Sequence, residues 1–138
     1  MNNEIRGSEN IYNGKSNGAG PGLMSVDSLV GNKVYNLQED DLGGIKDIML
    51  DMHDGRVAYA VLSFGGIFGM GEKLFAVPWN GLKLDTVNKR FILDADREKL
   101  QNAPGFNKDR WPNMADETWG RQIHSYYGTR HYSESLDR

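Results

Sequence analysis

The sequence predicts a mainly β fold: a small six-stranded barrel with short C-terminal helices packed on it. Three observations carry this expectation. Residues 57–64 are apolar at nearly every position, so a strand there is buried on both faces and the rest of the chain must wrap around it. Short β-rich runs recur between residues 33 and 95, separated by turn-forming Gly, Asp and Asn. Beyond Asp94 the pattern shifts to helix formers bracketed by capping residues.

Residues 1–22 are dominated by Asn, Gly and Ser, and only Ile5, Ile11 and Tyr12 are candidates for burial. Such a stretch hides too little surface to offset its ordering entropy, and a disordered tail is expected. Residues 23–29 form a lead-in with one helical turn. The first strand is expected at 33–37, closed by the polar turn 38–41. Gly43 and Gly44 open a second strand over 45–52, with Ile45 and Met49 on one side and Ile48 and Leu50 on the other. Asp54-Gly55 then predicts a two-residue type I′ hairpin turn.

The third strand covers 56–64. Residues 65–71, GGIFGMG, thread four glycines with Ile67, Phe68 and Met70 before a fourth strand at 74–77. Pro78 lacks a donor and ends that strand or places it at an edge. A fifth strand is expected at 82–85, with Leu82 and Leu84 inward, and a sixth at 90–95 after a turn over 86–89. Closure into a barrel is the usual remedy for edges in so short a sheet. Asp96 caps a helix over 97–103 that Pro104 stops. A single turn is expected at 108–111. Asp116 caps a longer helix to about Tyr127, ended by Gly128, with Trp119, Ile123 and Tyr126 or Tyr127 in an apolar stripe. The division is therefore a tail (1–22), a barrel (23–95) and a helical extension (96–138).

The formal charge of −3 and a pI of about 5.6 argue against a general binder of nucleic acid or anionic membrane. The absence of cysteine removes disulfides, thiolate catalysis and Cys-ligated zinc. No apolar run approaches the roughly 20 residues of a membrane span, and a cytoplasmic location is expected.

Residues 65–73 invite a phosphate-binding reading that fails on chemistry. A Walker loop needs Lys directly after its last glycine, whereas Gly71 is followed by Glu72, and no third glycine or helix completes a dinucleotide motif. The better account is a bend tipped with Ile67, Phe68 and Met70, which with Trp79 are the candidate interface residues. Asp47, Asp51, His53 and Asp54 make an acidic cluster, for which a solvated hairpin explains more than a weak cation site. His124 lies one position from the helical stripe and reads as a helix-surface residue. From Gly105 onward five basic residues face five acidic ones, so the aromatic rings there are expected to pack on the barrel rather than stack on RNA. No catalytic residue, metal ligand or cofactor site is assigned.

Residues 23–95 resemble the PRC-barrel domain. The resemblance is carried by Leu29-Val30-Gly31, Asp41-Leu42-Gly43-Gly44-Ile45, Gly55-Arg56-Val57-Ala58-Tyr59 and above all LSFGGIFGMGEKLFAVPW over 62–79. Beyond the barrel, Asn102-Ala103-Pro104-Gly105-Phe106, Trp111-Pro112 and Tyr126-Tyr127-Gly128 resemble stand-alone bacterial members. Relatives include the cytoplasmic part of the photosynthetic reaction-centre H subunit and the C-terminal half of the ribosome-maturation factor RimM. The resemblance implies a non-enzymatic interaction or assembly module that binds a protein partner or itself, including as a homodimer. The alternative it implies is RNA or ribosome association in the manner of RimM.

Overall fold

A computed structural model describes residues 23–65 and 72–130. The elements run α1 (Val26–Leu29), β1 (Lys33–Tyr35), β2 (Asp41–Asp51), β3 (Arg56–Gly65), β4 (Glu72–Pro78), a 3-10 turn (Trp79–Gly81), β5 (Leu82–Asp85), β6 (Arg90–Leu93), α2 (Arg97–Gln101) and α3 (Glu117–Tyr127). All six expected strands are present. They form one curled sheet, a half-barrel, in the order β4-β3-β2-β1-β6-β5. Strands β1 to β4 are a meander of antiparallel neighbours, and β6 joins β1 in parallel through Val34↔Phe91 and Tyr35↔Ile92.

The sheet's outermost strands are β4 and β5, bridged covalently by the 3-10 turn rather than by a ladder. Pro78 is the last residue of β4, as its missing donor requires. The free side of β4 is partly covered: Leu74 and Phe106 exchange two backbone hydrogen bonds of 2.8 Å. That bridge brings the Gly105 turn against β4 so closely that a Cβ on Gly105 would lie 2.9 Å from the Leu74 carbonyl oxygen.

Burial on both faces of β3 is confirmed, and different elements cover each. Ala60, Leu62 and Phe64 point into the hollow of the sheet, with Val34, Leu42, Ile48, Phe75, Val77, Phe91 and Leu93. Leu100 of α2 and Ala103 join that same core. Tyr59 and Ala76 face the other way, under Ile123 of α3, with Trp119 and Tyr127 packed beside them. Each fully buried Leu or Phe side chain contributes about 1.5–3 kcal/mol relative to exposure, so removing α3 would uncover a second hydrophobic face.

Three local expectations are corrected. Ile45 shares the inner core with Ile48, while Met49 lies against the outer one. The cause is a bulge: Ile45 pairs with Leu62 but Asp47 with Val61, leaving Lys46 as an extra residue that reverses the alternation. The β2–β3 connection is a four-residue loop, not a type I′ turn. Asp51 pairs with Arg56, Gly55 alone takes positive φ (70°) there, and its N–H reaches the Asp51 carbonyl at 2.8 Å. Leu84 is 40% exposed rather than inward, because β5 is an outer strand with little stacked on it. The turn expected at 108–111 is present, with Trp111 Nε1 donating to the Lys108 carbonyl at 3.0 Å.

The helix caps are as expected. Asp96 Oδ1 accepts from the Lys99 N–H at 2.7 Å, Asp116 Oδ1 from the Thr118 N–H at 2.9 Å, and Gly128 closes α3 at φ 72°. Among the described residues no helix is long and apolar enough to cross a membrane.

Candidate functional site

Where β2 starts and β3 ends, the half-barrel opens into a groove of about 820 Å³. Its floor is largely glycine backbone, from Gly31, Gly43, Gly44 and Gly65. Gly43 is obligatory there: its φ is 99°, and a Cβ would sit 2.0 Å from the Ser63 carbonyl oxygen. Two aromatic rings, Phe64 and Phe75, form the wall, and both are buried.

Four cationic side chains line this groove among the described residues, Lys33, Lys46, Lys73 and Arg97, against one carboxylate, Asp41. They arrive from β1, β2, β4 and α2, so only the folded sheet brings them together. Lys33 Nζ pairs with Asp41 Oδ2 at 2.9 Å. The Arg97 guanidinium donates to the Asp41 backbone carbonyl at 3.1 Å and lies 5.4 Å over the Phe64 ring. Lys73 Nζ lies 5.4 Å over the Phe75 ring. Cations over rings in this way keep their charge at the groove while their stems cover apolar surface.

Partial burial alone would raise the Asp41 carboxyl. The Lys33 ammonium, the Gly43 N–H and the nearby Arg97 charge outweigh it and hold the group below the ordinary carboxylate range. Asp41 is therefore a fixed anion that positions Lys33, and it is not tuned to exchange protons near neutrality.

The candidate interface residues Ile67, Phe68 and Met70 lie outside the described residues. Their stretch leaves from Gly65 and returns at Lys73 by way of Glu72, and both Gly65 and Lys73 line the groove. Trp79 lies at the opposite end of β4. It is half-buried, with its ring 5.7 Å from that of Phe91 and packed on the inner core. The groove and Trp79 are thus separate features.

A smaller cavity of about 400 Å³ lies beside Trp79, lined by Arg56, Val57, Ala58, Asn80 and His124. His124 is 5% exposed, which corrects the helix-surface reading. Helix α3 packs on β4 and reaches Tyr59 of β3, so the imidazole meets the Tyr59 ring at 5.8 Å and its Nδ1 lies 2.7 Å from Thr129 Oγ1. The aromatic residues of α3 pack on the sheet as expected, with Trp119 edge-on to Tyr59 at 5.2 Å. Burial raises the Tyr59 hydroxyl, and pushes that of Tyr127 up further with help from Tyr126.

The acidic hairpin residues hold local backbone: Asp47 Oδ1 accepts from the Ile48 N–H and Asp51 Oδ1 from the His53 N–H. Among the described residues no group of three or more His, Asp or Glu is gathered as a metal site. Two structural networks carried no motif in the sequence. Arg90 clamps Glu39 through two nitrogens, at 2.7 and 3.0 Å, and Asp85 at 3.1 Å. Buried Asn36 accepts from the Gln38 and Asp40 N–H groups and donates to the Ala95 carbonyl.

The PRC-barrel domain matches residues 21–100, more than half of the chain. The chain belongs to the PRC-barrel family. The match spans all six strands of the half-barrel and all of α2 but its last residue, so every residue lining the groove except Gln101 lies inside it. No curated protein matches the chain.

Proposed function

We propose that this PRC-barrel protein is a non-enzymatic, cytoplasmic interaction module that binds a protein partner or a second copy of itself. The observation that carries the reading is the glycine-floored, cation-lined groove at the ends of β3 and β4. It offers backbone groups and fixed charges for recognition, while its carboxylate is committed to Lys33. Gly65 and Lys73, described residues on either side of Ile67, Phe68 and Met70 in the sequence, line this groove, and we assign those three apolar residues to the same contact surface. Membership of the PRC-barrel family supports an interaction role and names no partner.

The test compares the wild-type protein with an Ile67→Asp/Phe68→Asp double variant by light-scattering chromatography and by crosslinking in native cells. The expected result is a wild-type oligomer or a reproducible crosslinked partner that the variant loses, with its thermal melt unchanged. A monomeric wild type, together with equal partner recovery by the variant, overturns the proposal. Salt-sensitive co-sedimentation with ribosomes in place of a protein crosslink would favour the ribosomal alternative.

A further inference from the structure

Resting on the interaction reading above, we infer that the groove receives an acidic, extended segment of a partner protein. Charge complementarity is the first argument. The chain as a whole carries −3, yet the described groove wall sets Lys33, Lys46, Lys73 and Arg97 against Asp41 alone. A negatively charged protein that concentrates cations in one cleft attracts anions to that cleft and repels them elsewhere.

Size and floor are the second. A cleft of about 820 Å³ is large for a single inorganic anion and falls in the range of sites that enclose a ligand of many atoms. At Gly31 and Gly65 the floor has open space where a side chain would stand, so a bound backbone can approach the protein backbone closely there. Carboxylates of the segment would meet Lys46, Lys73 and the outer edge of Arg97.

The rings decide between peptide and nucleic acid. Single-stranded nucleic acid is held by bases stacked on open aromatic faces. Here Phe64 and Phe75 are buried, with Arg97 and Lys73 respectively over their rings. They steady the cations and present no stacking platform.

The experiment is fluorescence anisotropy with a fluorescein-labelled octapeptide of alternating aspartate and alanine. An alternating lysine–alanine octapeptide, an oligothymidylate and inorganic phosphate serve as the other probes. Saturable binding of the acidic peptide is expected, weakened by about tenfold or more in Lys46→Glu/Lys73→Glu and falling steadily as salt rises. Arg97→Gln, which keeps a donor for the Asp41 carbonyl, is a second variant whose binding should also fall. Thermal melts establish that both variants are folded. Absence of acidic-peptide binding, equal binding by the folded variants, equal binding of the oligothymidylate, or complete competition by millimolar phosphate each overturns the inference. If the acidic peptide fails while a native partner still crosslinks, the interaction reading stands and this one falls. If the peptide binds yet no partner or oligomer is ever recovered, the broader reading is the one that falls.

Discussion

Gly43→Ala is the substitution whose cost follows most directly from the geometry. Two effects add. The residue holds φ at 99°, where a side chain is strained by about 1–3 kcal/mol. Its new Cβ would also lie 2.0 Å from the Ser63 carbonyl oxygen and 3.1 Å from the Ser63 carbonyl carbon. Those are backbone atoms of the neighbouring strand, so no side chain can swing aside. Relief requires β2 and β3 to part near the Gly44↔Ser63 pair, at a cost of one or two ladder hydrogen bonds, each worth about 1 kcal/mol. The total is about 2–5 kcal/mol. Gly31→Ala is the control, because Gly31 has nearly the same φ, 98°, and nothing within 4 Å of its Cβ position. It should lose the strain alone, about 1–3 kcal/mol. Denaturant unfolding of both variants, read at equal m, isolates the clash; the difference should be about 2 kcal/mol, or roughly 10 °C in Tm. Equal stability of the two variants within about 0.5 kcal/mol would refute the close β2–β3 approach.

Two further predictions concern single polar groups. Tyr127 Oη is buried without a hydrogen-bond partner among the described residues, so Tyr127→Phe should be neutral or stabilise by up to about 1 kcal/mol; clear destabilisation in a thermal melt would contradict that. The folded Asp41 carboxyl is held below its ordinary value of 3.8, despite partial burial, by the Lys33 ammonium and the Gly43 N–H. Its contribution is therefore full above that value and is lost as pH falls through the depressed folded pKa. Asp41→Asn should flatten the stability profile on that acid side only. With the carboxylate half exposed the change will be small, and an equal loss at neutral and acid pH would show the effect is not titration.

The strands were legible because each is a short β-rich run ended by a residue that cannot continue it, such as Pro78 or Gly55. Burial on both faces of β3 was legible for the same local reason, since no polar residue interrupts 57–62. The bulge at Lys46 was not. It follows from how two strands must slide to bring Ile45 and Ile48 to one side, and neither strand alone encodes that choice. His124 was misread because helical spacing places it one step off the stripe. The Tyr59 ring covers it from the sheet, and Thr129, beyond the Gly128 cap, folds back to the imidazole. The groove left still less trace, for its cations stand at 33, 46, 73 and 97, far apart in the chain and near one another only through the curl of the sheet. Fold was thus largely readable from local pattern, whereas the site is a product of tertiary assembly.

The parallel seam between β1 and β6 has a consequence for how the chain comes into being. During synthesis the meander from Lys33 to Pro78 emerges first and can pair strand by strand. The outer edge of β1 stays bare until Phe91 and Ile92 arrive, because they alone fill its register. For that interval the nascent protein is a four-stranded sheet with an unsatisfied edge, the kind of surface that recruits any extended chain nearby. Docking of the β5–β6 hairpin is then the step that finishes the protein and also makes it safe.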